Sequence, residues 1–322
     1  MKKILGIGNA LTDILLQVSE QDLQTANFPK GSMYLIDSGT SDALKVRFSD
    51  KPRAMVAGGS SSNTINGIAR LGGDAAFIGK VGKDEIGNFY AEDMRKNGVT
   101  PFVLESETAS GNCTVLITPD CERTMRTYLG AACELNAEDL KQEFFDGYDI
   151  VHIEGYLIIN NDLVLTAAKM AKKAGAMISI DLASYNVVEE NFDFLQSYIN
   201  EYVDIVFANE EEAQAFTGKS SCEALDELAK VCEIAVVKEG AAGSHIKRGA
   251  ETVKINAIKV NAIDTTGAGD LYAAGFLFAL AQDKPLQTCG ELGALISGKT
   301  VEVIGPKISE ETWAEIKQTY NV

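Results

Sequence analysis

The chain has 322 residues, a formal net charge of −17, and 46% hydrophobic and 23% charged residues. This is the composition of a globular protein too long for a single small core, so we expect one large domain with an appendage, or two domains. The negative charge argues against nucleic acid and anionic membranes as partners, and no apolar run approaches the roughly twenty residues of a membrane span.

The cysteines contain no CxxC motif and have no spacing to a histidine that indicates a zinc site. We therefore expect reduced thiols and a cytoplasmic protein. Polar residues at Asn9, Thr12 and Asp13 interrupt the apolar N-terminal run, which argues against a signal peptide. The cysteines are Cys113, Cys121, Cys133, Cys222, Cys232 and Cys289.

The N-terminal segment predicts a short buried strand over residues 3–8, followed by a polar turn that ends at Asp13. Ligands of open α/β sheets gather at the carboxyl ends of the strands, so Asp13 is a candidate ligand-binding residue. A turn-forming aspartate is the alternative interpretation.

Two later segments, residues 14–50 and 99–128, show alternating apolar residues separated by Pro and Gly. This pattern predicts strands outside the βα pattern of the rest of the chain. We expect them to pack together as a small β lid that excludes water from a reaction. The predicted large α/β domain then comprises residues 1–13, 51–98 and 129–322.

Between these segments, the sequence AGGSSSN at residues 57–63 predicts the start of a helix that runs to about Leu71. The serines and Asn63 are available as helix caps. Capping explains one of these residues, but not the Gly58-Gly59 pair together with Asn63.

From about residue 131, strand-like runs alternate with helical patterns, which predicts a doubly wound, largely parallel sheet flanked by helices. Polar residues follow or end four of these runs, at Glu154, Asp181, Asn209 and Lys238. Because the carboxyl ends of parallel strands share one edge, these side chains should line a cleft.

The sequence DTTGAGD at residues 264–270 precedes an alanine-rich apolar segment. This is typical of a helix N-terminus whose free N–H groups hold an anion, and Gly267 and Gly269 allow a ligand to approach the backbone closely. Taken alone, Asp270 is explained as a helix cap. Beside a bound phosphate, however, a carboxylate is better explained as a base that takes a proton from an incoming hydroxyl.

The segments at residues 58–63 and 264–270 resemble the two signatures of the PfkB (ribokinase-like) carbohydrate and nucleoside kinases. The resemblance extends over almost the full chain and implies a ribokinase-like fold with a β lid. It implies Asp270 as the catalytic base. The residues implied for phosphate binding are Gly267, Ala268 and Gly269, and those implied for the sugar hydroxyls are Asp13, Gly59 and Asn63.

The same resemblance implies ATP and Mg²⁺ as cofactors, with a monovalent cation such as K⁺ near Asp264. The sequence from Asn209 to Glu212 matches the NxxE element of the family, in which the Glu acts on the magnesium carried with ATP, here through a bound water. An acidic, solvated helix start is the alternative for the neighbouring glutamates.

A nucleotide-binding loop is implied for Lys238, Gly240 and Gly243, although many relatives have Thr or Ser where this chain has Lys238. Arg123, on the predicted lid, matches an arginine that reaches the phosphates in related kinases. An ordinary surface arginine is an equally good interpretation.

A second motif competes for the phosphate site, because GALISGKT at residues 293–300 satisfies the P-loop pattern. Its intervening residues are mostly apolar, and residues 285–292 predict a helix where a P-loop requires a strand. We therefore interpret this match as coincidental.

The acceptor is indicated by the segment after Asp181, which lacks the arginine of the D-x-N-x-R sequence common in sugar kinases. Residues 122–131 and 152–157 are similar to adenosine-kinase-like bacterial members. We therefore expect transfer of the γ-phosphoryl group of ATP to a nucleoside 5′-hydroxyl, with Tyr34, Leu35, Phe102 or Tyr128 forming an apolar slot for the base. A ribose- or fructose-type sugar kinase, or a sugar- or nucleoside-binding sensor with weak catalysis, remains the alternative, and either a monomer or a homodimer fits.

Overall fold

The computed structural model describes residues 1–120 and 122–320, with Ser221 described by its backbone alone. Within these residues the strands are β1 (Ile4–Ile7), β2 (Leu11–Gln17), β3 (Met33–Leu35), β4 (Arg53–Gly58), β5 (Ala75–Gly82), β6 (Val99–Ser106), β7 (Asn112–Ile117), β8 (Arg123–Tyr128), β9 (Ile150–Glu154), β10 (Met177–Asp181), β11 (Ile205–Asn209), β12 (Ile234–Lys238), β13 (Ser244–Arg248) and β14 (Glu251–Ile255). The α-helices are α1 (Glu20–Thr25), α2 (Ser38–Arg47), α3 (Ser60–Arg70), α4 (Glu85–Lys96), α5 (Asn161–Lys173), α6 (Tyr185–Glu190), α7 (Phe192–Tyr202), α8 (Glu210–Thr217), α9 (Ser221–Leu228), α10 (Ala268–Ala281), α11 (Leu286–Thr300) and α12 (Glu310–Tyr320).

The larger sheet has nine strands in the order β14-β13-β12-β11-β10-β9-β1-β5-β6. All neighbouring pairs are parallel except β12–β13 and β13–β14. This is the predicted doubly wound, largely parallel sheet, and the predicted fold class is confirmed. In its register Glu154 pairs with Asp181, and Asn209 pairs with Lys238. The four polar strand ends therefore meet at one edge.

The central strands are continuous apolar runs because helices cover both faces of the sheet. Alternate residues of each strand enter two separate cores: Ile4 and Phe207 face the layer that contains α10 and α11. Leu5 and Val206 face the layer that contains α5 and α7. Burial on both faces fixes the register of these strands, and with it the positions of their polar ends.

Helix α10 is buried on all sides, and every residue from Leu271 to Ala281 is inaccessible or nearly so. It packs between α3 and α11. Glycine allows the close approach to α3, because a Cβ atom on Gly67 would lie 2.7 Å from Cβ of Ala274. The first turn of α10 is thereby held beside the first turn of α3.

The smaller sheet has five strands in the order β3-β8-β7-β2-β4 and forms the predicted second layer of strands. The segment 14–50 also contains two helices that the strand pattern did not predict. Helix α1 begins at a capping box formed by Ser19 and Asp22, and α2 begins at Asp37, whose side chain accepts the N–H of Thr40. Leu23 and Leu44 of these helices pack against the small sheet.

Two strands lie in a different sheet from the one expected. Strand β6, expected in the lid, is the edge strand of the large sheet, because Phe102 stacks on Phe144 of the large core at 5.1 Å. Pro101 is tolerated there because an edge strand leaves some backbone groups unpaired. Strand β4, expected in the large domain, pairs with β2 in the small sheet. The division into two domains stays a prediction.

The start of α3 differs from the predicted capping pattern. Its N-cap is Gly59, which has no side chain to cap the helix, although Ser60 and Asn63 carry groups that cap helices well. The side chains of Ser60 and Asn63 instead form hydrogen bonds to Asp270, as described below.

Five cysteines are unpaired thiols in the described residues, and Cys121 lies outside them. Across residues 1–120 and 122–320, no helix has the length and apolar character needed to cross a membrane.

Candidate active site

Asp270 lies in the first turn of α10, against α3. Its carboxylate accepts a hydrogen bond from Ser60 Oγ at 2.7 Å and another from Asn63 Nδ2 at 2.8 Å, while its backbone carbonyl accepts one from Thr64 Oγ1 at 3.0 Å. Burial raises the pKa of Asp270 to about 6, although the two hydrogen bonds to the carboxylate act in the opposite direction. The carboxylate is therefore oriented, ionised near neutral pH and able to accept a proton.

The backbone before Asp270 leaves amide groups available at the start of α10. Gly267 is the N-cap, in the left-handed region with φ +73°, and no side chain caps the helix. The N–H of Ala268 donates to the carbonyl of Thr265 at 3.2 Å. Within the described chain, the N–H groups of Gly269 and Asp270 have no such acceptor. Two backbone donors at a helix N-terminus are thus free to bind an anion.

Arg123 connects the small sheet to the loop before α10. Its Nη1 donates to Oδ2 of Asp264 at 2.6 Å, and both side chains are less than one tenth exposed. The N–H groups of Gly305 and Thr266 also donate to this carboxylate, at 2.7 and 2.9 Å. Burial opposes ionisation of Asp264, but the hydrogen bonds from Thr266 and Gly305 outweigh it and lower the pKa.

This pairing limits what Arg123 and Asp264 can bind. Asp264 uses Nη1 of Arg123, while the buried Nε has no hydrogen-bond partner in the described residues. A monovalent cation bound to Asp264 would have to share a carboxylate that already accepts three hydrogen bonds, one of them from a cationic donor. The oxygens of the Asp264 carboxylate are therefore better suited to the bond with Arg123 than to an additional cation.

Asp13 lies in β2, with its carboxylate against the backbone of Gly58. A Cβ atom on Gly58 would lie 3.0 Å from Oδ2 of Asp13, so glycine leaves room for this carboxylate. Burial raises the pKa of Asp13 to about 6, partly offset by the charges of Arg123 and Lys307. No hydrogen bond contributes to this pKa in the described part of the chain, so the carboxylate is available to a ligand hydroxyl.

Gly59 is required by its backbone, because its φ is +97° and a Cβ atom there would lie 2.2 Å from the carbonyl oxygen of Asn9. The carboxylate of Glu154 joins the same region: it accepts from Asn9 Nδ2 at 2.6 Å and from the N–H of Ser61 at 3.3 Å. Glu154 thereby caps α3 from another strand. Burial raises its pKa to about 7, with the hydrogen bond from Asn9 acting in the opposite direction.

Asn209 and Glu212 form a capping box at the start of α8. The N–H and Nδ2 of Asn209 donate to the Glu212 carboxylate at 2.8 and 2.7 Å, and the N–H of Glu212 donates to Asn209 Oδ1 at 2.8 Å. Burial raises the pKa of Glu212 to about 7, with a further contribution from Asp181. Both carboxylate oxygens are engaged, which fits contact with a hydrated Mg²⁺ through water better than direct ligation.

Lys238 ends β12 and forms an ion pair with Asp181, which ends β10, at 2.6 Å. Burial alone would lower the pKa of the Lys238 ammonium group, but the carboxylates of Asp181 and Glu212 outweigh this effect and raise it. Nζ also lies 3.1 Å from the position of a Cβ atom on Gly269. The ammonium group is therefore next to the free N–H groups of α10.

Gly240 begins the short 3-10 turn Gly240–Ala242 between β12 and β13, and Gly243 follows it. Gly243 has φ +99°, and a Cβ atom there would lie 2.0 Å from the carbonyl oxygen of Ile255. Gly240 has φ +50° and open space around its Cβ position. Both glycines are thus explained by the turn itself, and their contact with a nucleotide stays a prediction.

The structure brings Asn63, Gly269, Asp270, Lys238 and Glu212 together at the carboxyl edge of the large sheet, through the contacts given above. Sequence reasoning placed Glu154 and Asp181 at this edge but did not identify their partners, and it assigned Ser60 only as a helix cap. Each was visible as a polar residue at a strand end or helix start, but its partner lies far away in the sequence.

Two other sequence interpretations are resolved by the fold. Residues 293–300 form the second half of α11, so no strand–loop–helix exists there and the P-loop match is coincidental, as expected. Of the aromatic residues suggested for a base slot, Tyr34 is exposed on β3, whereas Phe102 is packed against Phe144 in the large core. Phe102 therefore does not belong to the lid.

Acidic residues and histidines do not cluster into a metal site in the described residues, since no group of three or more His, Cys, Asp or Glu is placed to hold an ion.

The fold and this site define an α/β phosphotransferase with an alcohol group as acceptor. Residues 50–313 match the pfkB family carbohydrate kinases, and the chain belongs to this family. The predicted family is confirmed, and family membership favours a kinase over a binding sensor.

Relatives of the chain include both adenosine kinases and sugar kinases. It is similar to the solved structure of adenosine kinase from Sinorhizobium meliloti, with 35% identity, a TM-score of 0.84 and coverage of 98% of each chain. A probable sugar kinase from Rhizobium etli has 33% identity and a TM-score of 0.86, with 99% and 98% of the two chains covered. Adenosine kinase of Saccharomyces cerevisiae is 23% identical over 95% of this chain and 96% of that protein.

Proposed function

We propose that this kinase transfers the γ-phosphoryl group of ATP to the 5′-hydroxyl of a nucleoside, with adenosine as the favoured acceptor. The observation that carries the transfer step is the Asp270 carboxylate, fixed by Ser60 and Asn63 next to the free N–H groups at the start of α10. A base and an anion site then stand within one turn of helix.

In the proposed mechanism, Asp270 takes the proton of the acceptor hydroxyl as its oxygen attacks the γ-phosphorus. The N–H groups of Gly269 and Asp270, in the first turn of α10 after Gly267 and Ala268, stabilise the charge on the transferred group. Because this donor set is fixed before the reaction, little reorganisation is needed as the charge moves.

The acceptor sugar is proposed to bind between Asp13, Gly59 and Asn63. The Asp13 carboxylate has no hydrogen bond in the described residues, and the Asn63 amide has a second N–H donor besides the one directed at Asp270. A carboxylate and an amide suit vicinal hydroxyls. The small sheet, which carries Asp13, would cover the ligand.

ATP is proposed to lie along Asn209, Lys238, Gly240 and Gly243, with its Mg²⁺ reached from Glu212 through water. Because Nη1 of Arg123 binds Asp264, we assign its main role to linking the small sheet to the loop before α10. The proposed reaction does not require a monovalent cation, since Arg123 already provides a positive charge at Asp264.

Adenosine is favoured by the 35% identity over 98% of the chain to a protein described as an adenosine kinase. A sugar kinase is the second candidate, because the Rhizobium etli relative, described as a probable sugar kinase, has almost the same identity.

Rates of ADP release with a panel of acceptors separate these two. We expect the highest kcat/KM with adenosine, lower values with other nucleosides, and much lower values with ribose and fructose. Phosphorus NMR of the product should place the phosphate on the 5′-oxygen. A higher kcat/KM with a free sugar than with every nucleoside would refute the nucleoside proposal and leave the kinase assignment intact.

A further inference from the structure

Lys238 is an unusual group at this sheet edge, because it is a partly buried cation that forms an ion pair with only one of several nearby carboxylates. Its Nζ lies 2.6 Å from Oδ2 of Asp181, and the two side chains are 14% and 10% exposed. The residues end β12 and β10, which flank β11, so the ion pair spans the end of one strand.

The ammonium group has unused donors. A lysine has three N–H groups, and within the described residues Lys238 makes one side-chain hydrogen bond, to Asp181. Nζ lies 3.1 Å from the Cβ position of Gly269, one of the two residues whose N–H groups are free at the start of α10. Any side chain at position 269 would therefore bring a carbon atom into close contact with the ammonium nitrogen of Lys238.

Lys238 also offsets part of the negative charge at this edge of the sheet. Asp181, Glu212 and Asp270 all act on Lys238 as negative charges, so a single cation faces three carboxylates. A pair with only a structural role is often replaced by apolar residues at no cost in stability. Without Lys238, this side of the anion site would repel a phosphate.

We propose that Lys238 contacts the phosphoryl group being transferred, as a catalytic cation, and that Asp181 is the positioning residue that holds its ammonium group at the start of α10. The proposal deepens the proposed function and rests on phosphoryl transfer from ATP, but not on the identity of the acceptor. In the step, the bond from the γ-phosphorus to the bridging oxygen of ADP breaks and a bond to the acceptor oxygen forms. The acceptor proton passes to Asp270, while Lys238 stays protonated throughout.

The first test compares nucleotide affinities by calorimetry, using ADP and a non-hydrolysable ATP analogue, each with Mg²⁺. Lys238→Met should weaken binding of the ATP analogue much more than binding of ADP, because only the analogue carries a γ-phosphate. Lys80→Met is the matched control. It breaks a similar partly buried ion pair, with Asp139 at 2.8 Å, and should leave the ratio of the two affinities unchanged.

The second test measures kcat with the acceptor that the native enzyme turns over fastest. We expect Lys238→Met to lower kcat by about 10²–10³-fold, the range found when one donor to a transition-state anion is removed. Lys238→Arg keeps the charge and should recover part of the loss. Asp181→Asn should lower kcat less than Lys238→Met, because the cation remains but loses its orientation.

The pH profile distinguishes these roles from structural damage. Asp270 is faced by Ser60 and Asn63 from α3, Asp181 from β10, Lys238 from β12 and Glu154 from β9. Lys238 lowers the pKa of Asp270 and Asp181 raises it. Lys238→Met should therefore move the acid limb of kcat/KM to higher pH, and Asp181→Asn should move it to lower pH. Misfolding would not shift the two limbs in opposite directions.

An unchanged ratio of ATP-analogue to ADP affinity in Lys238→Met would overturn the proposal, and so would a kcat within about threefold of the native value, given the loss expected for such a donor. If Lys238→Met does not fold, Lys238→Arg and Asp181→Asn still decide it. Lys238→Arg keeps the charge and should leave the acid limb near its native pH, whereas Asp181→Asn should move the limb to lower pH; a limb of Asp181→Asn that moves to higher pH would refute the proposal. If the native protein binds the ATP analogue but phosphorylates no acceptor, the proposed function fails, while the affinity ratio still tests the Lys238 contact.

Discussion

Replacing Asp270 by asparagine removes the proposed base and leaves its surroundings almost unchanged. The amide oxygen can accept from Asn63 Nδ2, and the amide nitrogen can donate to Ser60 Oγ, so both contacts, now at 2.8 and 2.7 Å, have a replacement. A positioned base contributes about 10²–10⁴-fold to the rate. At about 1.4 kcal/mol per factor of ten, the substitution should raise the barrier by about 3–5 kcal/mol.

The assay is kcat at saturating ATP and adenosine, followed by ADP release, with adenosine affinity measured separately by calorimetry. Asp270→Asn should bind adenosine nearly as well as the native protein while kcat falls by the factor given above. Asp283→Asn is the control, because this carboxylate is 78% exposed and paired with Lys2 far from the site. An Asp270→Asn enzyme that keeps more than about one tenth of the native kcat would refute the assignment of the base.

Four further outcomes are expected. Because Asp270 must be ionised and its pKa is raised to about 6, kcat/KM should fall about tenfold per pH unit below pH 6. Asn63→Ala should shift this acid limb of the pH profile to higher pH, because it removes a hydrogen bond that lowers the pKa of Asp270. Gly59→Ala should lower the free energy of unfolding, measured by urea denaturation, by clearly more than Gly72→Ala. The φ angles of the two glycines are similar, +97° and +94°, but of the two only Gly59 has a backbone oxygen 2.2 Å from its Cβ position. Equal losses of stability would contradict this steric explanation. The ligand-free protein should have a higher Tm at pH 6.5 than at pH 8, because Glu154 and Glu212 have a folded pKa of about 7 against an ordinary value of 4.5. A group with a raised folded pKa loses its stabilising contribution as the pH rises through that value. Glu154→Gln should therefore weaken the dependence of Tm on pH, measured by calorimetry. Replacing K⁺ by tetramethylammonium should leave kcat unchanged, because Arg123 compensates Asp264, and a large loss of activity would show that a cation binds there.

The large sheet was predictable from the sequence because its signals are local. Each buried strand is a short apolar run that ends in a polar residue, as at Asp181 and Asn209, and helical patterns fill the intervals. Parallel pairing follows from these connections, since a crossover helix returns the chain to the same edge. Once the strands are parallel, their polar carboxyl ends must lie at one edge of the sheet, so this arrangement could be predicted from the sequence.

The sheet to which an edge strand belongs was not predictable in this way. Strand β6 has the apolar alternation expected of a strand in the small sheet, and only its pairing with β5 and the contact of Phe102 with Phe144 assign it to the large sheet. The same limitation applies to β4, which runs directly into Gly59 and α3 but pairs with β2. Pairing is a property of two segments, and a pattern within one segment does not determine it.

Partners of site residues were also beyond the sequence. Serine and asparagine at the start of α3 favour helix capping, yet Ser60 and Asn63 bind Asp270, more than two hundred residues away. Glu154 supplies the missing cap to the N–H of Ser61. Ser60 and Asn63 can reach Asp270 because Gly67 lets α3 approach α10 closely. The separation of the two helices is set only when they pack against each other.

The distribution of charge explains how a chain with a net charge of −17 can hold phosphates. At physiological ionic strength, charges separated by more than about 8 Å are largely screened, so groups within the cleft dominate the local potential. There, Arg123 is paired with Asp264 and Lys238 with Asp181, while the raised pKa values of Asp270 and Glu212 follow mainly from burial. Each cation thus neutralises one carboxylate, and Lys238 stands next to the start of α10. Removing one of these two cations should weaken nucleotide binding far more than removing an exposed lysine, because it leaves a buried carboxylate facing the phosphates.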